Sequence, residues 1–180
     1  MSTLKNIIKN RMKTSISLIS IGILLIIFSC EKNVELSGNI VNDPELLNYL
    51  YEHATDTVLV ANQQLFMETY LYRNFTPGVL PSERNNRLIV TLSIVNVDSL
   101  VITEKLKAIE LFVIKGEQIW KSIPKDDNNY SPEFKKNLIS RNGPEWGTDI
   151  YVDVVLKIED LENSNYKYLI SKEQQIHRVE

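Results

Sequence analysis

A single cysteine, two histidines, six glycines and two tryptophans in 180 residues leave little material for several kinds of chemistry. One cysteine cannot close a disulfide within the chain, and it cannot supply the set of thiolates that a structural zinc site uses. The histidines, His53 and His177, add too few nitrogen donors to make good that shortage. Glycine-rich phosphate loops are absent. There is no run of five or more basic residues, so a nucleic-acid backbone finds no electrostatic footprint. Asp126-Asp127 lacks the glycine-centred ligand pattern of a calcium loop, and nothing like a nucleophile elbow accompanies His177. No cofactor, no metal, no nucleic-acid partner and no enzymatic activity are expected.

What is present begins at the N-terminus. Lys5, Lys9, Arg11 and Lys13 precede an apolar run from Ile16 to Phe28 that ends in Ser29-Cys30. Such a run falls short of the roughly 20 apolar residues that span a bilayer. A basic segment, a short apolar segment and a small residue together form the pattern of an export signal. The ending Leu25-Ile26-Ile27-Phe28-Ser29-Cys30 resembles the lipobox of bacterial lipoproteins of the Bacteroidota type. Met12-Lys13-Thr14 alone would begin a compact signal, offering a second start beside Met1.

The resemblance implies that residues 1–29 are a signal peptide and that Cys30 is acylated. Two or more acyl chains hold a protein stably on a membrane, where one holds it only marginally. Acylation would consume the sole thiol, leaving no cysteine nucleophile. Loss of the four basic residues would take the formal charge from −3 to −7. Glu31-Lys32 lacks the dense acidic run associated with surface export in that group, which favours an outer-membrane anchor facing the periplasm. Asp56-Thr57-Val58 and Asp98-Ser99-Leu100 resemble the triplets at which such bacteria glycosylate exported proteins.

Residues 30–42 read as the lipidated cysteine and a polar tether, and 43–180 as one domain. Asp43-Pro44-Glu45 is a helix start: a capping side chain, proline at the first helical position and an acid in the first turn. With Leu46, Leu47, Leu50 and Tyr51 behind it, this predicts a short helix from Pro44 to Glu52. Beyond Asp56 the period is two. Leu65, Met67, Thr69 and Leu71 share one face; Phe66, Glu68, Tyr70 and Tyr72 share the other. Arg87 to Val95 turns Leu88, Val90, Leu92 and Ile94 inward, and a short strand is expected over Ser99–Ile102. Lys107–Ile114 and Gln118–Ile123 flank a glycine turn at Gly116. Between Pro124 and Gly147 the chain turns polar; within that insertion Ser131-Pro132-Glu133, with Phe134 and Leu138 four apart, predicts a helix near 131–139, and the insertion is the first candidate for a partner-binding surface. Val152 to Ile158 and Tyr166 to Val179 close the chain, the last strand bent near Lys172.

The fold class expected is therefore mainly β, an antiparallel sandwich of seven or eight strands. The closing hairpin is similar to that of immunoglobulin-like domains in bacterial envelope proteins, without a cysteine pair. The expected function is a non-catalytic binding or structural module of the cell envelope, anchored to the membrane through acyl chains on Cys30. A glycan-binding accessory subunit of an outer-membrane uptake system is the alternative, and an envelope hydrolase with loop carboxylates a second. Trp120, Trp146 and Tyr151 are the candidate aromatics for a protein or glycan partner. The stripe Phe66, Tyr70 and Tyr72 is assigned to core packing, and Arg73 to tying a turn to an inner carboxylate.

Overall fold

A short helix near the start of the described chain sets the outer layer of the fold. The computed structural model describes residues 38–76, 86–127 and 131–180, all within one compact unit, Glu35–Glu180. Strand β1 (Asn39–Val41) leads into helix α1 (Pro44–His53). The Asp43 side chain accepts the Leu46 N–H at 3.0 Å, Pro44 opens the helix, and His53 sits in the last turn, where its Nδ1 lies 2.9 Å from the Tyr49 carbonyl. The Asp43 carboxylate thus satisfies an N–H that the helix leaves orphaned, and at the other end the Ala54 N–H closes on the Leu50 carbonyl. No described helix is long and apolar enough to cross a membrane.

Ten more strands follow: β2 (Ala54–Thr55), β3 (Thr57–Val60), β4 (Gln63–Asn74), β5 (Ile89–Asn96), β6 (Leu106–Lys115), β7 (Gln118–Ser122), β8 (Lys125–Asp126), β9 (Lys135–Ser140), β10 (Tyr151–Asp160) and β11 (Asn165–Val179). They join into one curled, mixed sheet in the order β1-β7-β6-β10-β11-β4-β5-β9-β8, with β2 added to β11 and β3 to β4. Side chains from both ends of this order meet in one core that includes Leu65, Leu71, Val90, Ile94, Leu111, Val113, Trp120, Leu138, Val154, Leu156 and Ile176.

The strands of the β7-β6-β10-β11 half are apolar on both faces, because α1 covers the outer one. Leu111 and Val113 point into the core, while Phe112 and Ile114 meet Leu46, Leu47 and Leu50 of the helix. Burying Leu50 completely is worth about 1.5–3 kcal/mol.

Strand β11 carries the sheet round its bend. It pairs antiparallel with β10 through Gln175, then parallel with β4 from Ile176↔Leu71 to Val179↔Asn74. The change of partner follows an irregularity opposite Val152/Val154, where Glu173 adopts φ 55°. Asp153 holds this kink: one carboxylate oxygen accepts the Glu173 N–H at 2.8 Å, and the other accepts the Tyr51 hydroxyl of α1 at 2.6 Å. A bulge at this point re-aims the chain from one half of the sheet to the other. The bend expected near Lys172 is there.

Several expectations are corrected. The pairings β11–β2 and β11–β4 are parallel, so the sheet is mixed rather than wholly antiparallel. The expected helix near 131–139 is a turn followed by strand β9. The spacing of Phe134 and Leu138 fits a helix, but Leu138 and Ser140 also alternate inward, and pairing with β5 from Val90↔Ser140 to Val95↔Lys135 satisfies the backbone while Leu138 fills the core. Ser99–Ile102 is a loop, not a strand. The end of the expected tether, Asn39–Val41, belongs to the sheet as the edge strand beside β7.

Candidate functional site

The half of the sheet without a helix leaves its outer face bare, and residue size along three strands gives that face its shape. On β4 the outward residues are Phe66, Glu68, Tyr70 and Tyr72. Opposite them on β5 stand Val95, Ser93, Thr91 and Ile89, and beyond these on β9 come Lys135, Asn137 and Ile139. In the row through Tyr70 the middle residue is Thr91, and in the row through Glu68 it is Ser93. Two short hydroxyl side chains between longer neighbours make a trough of about 360 Å³, lined by Glu68, Tyr70, Thr91, Ser93 and Asn137, with the Thr69 and Leu92 positions beneath. Its size lies near the lower end of the roughly 300–1,000 Å³ of ligand clefts.

The groups around the trough are organised. Ser93 Oγ donates to Asn137 Oδ1 at 2.7 Å, and Thr91 Oγ1 donates to the Tyr70 carbonyl at 3.2 Å. Lys135 Nζ meets Glu68 Oε2 at 2.7 Å, so the rim charge is neutralised within the site. On the far side of β4, His177 pairs with Tyr72 across the parallel ladder, and its ring stacks on Tyr70 at 5.0 Å and 18°. Tyr72 lies 5.5 Å from Tyr70 at a tilt of 32°. One ring face of Tyr70 is therefore taken by His177, and the Tyr70 side chain also lines the trough. Tyr70 is 47% exposed.

The aromatic residues singled out in the sequence fall elsewhere. Trp120 and Trp146 are buried in the core, and only Tyr151 is exposed, so the three do not form a shared surface. Trp120 packs so closely on Gly143 that a Cβ there would lie 2.9 Å from the indole. The stripe assigned to the core, Phe66, Tyr70 and Tyr72, lines the outer face instead. The two assignments exchange places. Alternation along β4 placed these rings together on one side, but only the position of α1 and the bend of β11 decide which side meets solvent.

Arg73 is buried, and its partners are carbonyls rather than the expected carboxylate: Nε donates to Asn86 O at 2.6 Å and Nη1 to Trp146 O at 2.5 Å. Burial pushes its pKa down, and Glu145 opposes that shift. His53 caps α1 and stacks on Tyr49 at 4.0 Å. Thr57 and Ser99 are both exposed, and Ser99 lies in a loop at φ 55°. Cys30 and the signal lie outside the described residues, as does part of the Asp126–Asn129 loop. Among the described residues, no group of three or more His, Cys, Asp and Glu side chains could hold a metal ion.

No protein-family model, curated protein or solved structure matches the chain.

Proposed function

We propose that the chain is an envelope lipoprotein, held on the outer membrane by acyl chains on Cys30 and facing the periplasm, whose folded part is a non-catalytic binding module of immunoglobulin-like type. The observation that carries the binding reading is the trough on the bare sheet face, where small hydroxyl residues on β5 are walled by Tyr70 and Asn137.

Strand order supports the immunoglobulin-like reading. The run β4-β5-β9-β8 and the run β11-β10-β6-β7 follow the ABED and GFCC′ orders of such sandwiches. The parallel contact of β4 with β11 lies where those two runs meet. The anchor rests on Lys5 to Cys30: a basic start, an apolar run too short to span, and a cysteine after a small residue.

Replacement of Cys30 by alanine tests the anchor. With labelled palmitate, wild-type protein should incorporate label and partition into detergent, whereas Cys30→Ala should accumulate as an unlabelled, longer precursor. Normal acylation of the variant would refute the assignment.

A further inference from the structure

The trough has a chemistry that selects among ligands. Its two ends of charge, Glu68 and Lys135, satisfy each other at 2.7 Å, leaving no net charge to attract an ion. Its floor and far wall offer acceptor oxygens at Thr91 and Ser93, whose own hydrogens go to the Tyr70 carbonyl and Asn137 Oδ1, and a carboxamide at Asn137 that both donates and accepts. Its near wall is an aromatic ring. A nucleotide or acidic peptide would want an unpaired cation here, and an apolar helix would want an apolar floor.

We propose that this trough binds an uncharged saccharide chain. The proposal rests on the binding-module reading and names its ligand class. A sugar ring has an apolar C–H face and a rim of hydroxyls, the complement of one aromatic wall facing a hydroxyl and carboxamide wall. Tyr70 stacks on the sugar. His177 is a positioning residue: stacked at 5.0 Å on Tyr70, it keeps the phenol ring from turning down onto β11. Asn137 and Ser93 are already bonded to each other at 2.7 Å, which orients the carboxamide, and its Nδ2 hydrogens are directed to a ligand hydroxyl.

The test uses the full chain in an amine-oxide detergent, which carries no sugar. Native electrophoresis is run through gels holding starch, dextran, xylan, galactomannan or laminarin, followed by calorimetry with oligosaccharides of whichever polymer retards the protein. At least one polymer should retard it, and high salt should leave the retardation unchanged. Ser93→Phe fills the trough without removing a stacking group, and should weaken binding by about tenfold or more with the thermal midpoint little altered. Tyr70→Ala should do the same, His177→Ala should weaken binding less, and His177→Phe should restore it. Failure of all five polymers, or wild-type affinity in Ser93→Phe, overturns the proposal. A photo-reactive residue at Asn137 in native membranes separates the two readings. Capture of an envelope protein without any polysaccharide binding would leave a binding module with a different ligand, and no capture together with no retardation would remove both.

Discussion

Replacing Gly143 by alanine sets two effects of opposite sign against each other. Gly143 is not among the residues with positive φ, so alanine is conformationally allowed there. An allowed glycine-to-alanine change stabilises a protein by about 0.4–1 kcal/mol, because the unfolded chain loses freedom. Packing opposes this. The added Cβ would stand 2.9 Å from Leu88 Cβ, 2.9 Å from Trp120 Cη2 and 3.0 Å from Trp120 Cζ3. Leu88 Cβ is tied to its backbone and the Trp120 indole is rigid and fully buried, so neither gives way cheaply. The Gly143 N–H, bonded to Leu88 O at 2.9 Å, pins the loop against retreat. Overpacking of this kind costs about 1–3 kcal/mol. With both contacts inside 3.0 Å the packing effect should win, by up to about 2.6 kcal/mol net of the backbone gain, lowering the thermal midpoint by up to roughly 10 °C at ~2–4 °C per kcal/mol for a domain of this size. Circular dichroism gives the midpoint, and urea unfolding can be followed through the emission of the two buried tryptophans. A smaller residue at Trp120 should relieve the clash, so Gly143→Ala with Trp120→Phe should cost less than the sum of the single changes. A Gly143→Ala protein as stable as wild type, or more stable, refutes the packing argument outright.

Other expectations concern the helix, the turns and the ionisable groups. Leu50→Ala should destabilise by about 2–5 kcal/mol, measured by urea unfolding, since it empties the contact between α1 and the outer face of β6 and β10. Arg73→Lys should cost about 1–3 kcal/mol, because an ammonium cannot serve Asn86 O and Trp146 O from one planar fork. The Asp160 carboxylate accepts the Asn163 side chain and the N–H groups of Asn163 and Glu162, bonds that hold its pKa below the usual range against the opposing effect of burial. A depressed carboxylate stabilises the fold above its unfolded pKa of about 3.9, and that contribution disappears as pH falls through the lower folded value. The midpoint of Asp160→Asn should therefore fall less than that of wild type between pH 5 and the acid limit of about pH 2. Burial, with Asp153 beside Tyr51 and Tyr49 beside Tyr168, raises both phenols, so absorbance titration should show Tyr51 and Tyr168 ionising later than free tyrosine. Tyr51→Phe should remove one of them.

Helix α1 was readable from Asp43-Pro44 because capping is local: the groups that stop the helix lie within a turn of it. The β6–β7 hairpin was readable for the same reason, with Gly116 at φ 58° in the turn. β9 was not. Phe134 and Leu138 fit two periods at once, and the choice between them belongs to β5, a partner more than thirty residues away. The trough was equally hidden, since Thr91 and Ser93 become a floor only when β4 and β9 stand on either side. His177 meets Tyr70 only because β11 changes partner at its kink.

The amino-acid order alone determined a mainly β chain, a capped first helix and which side chains share each strand face, since these depend on periods of two and 3.6 and on neighbours within a few residues. Tertiary structure decided which face turned inward. It sent Trp120 and Trp146 to the core and Tyr70 and Tyr72 to the surface, because the cover of α1 over one half of the sheet and the bend of β11 into the other are contacts between residues distant in the chain.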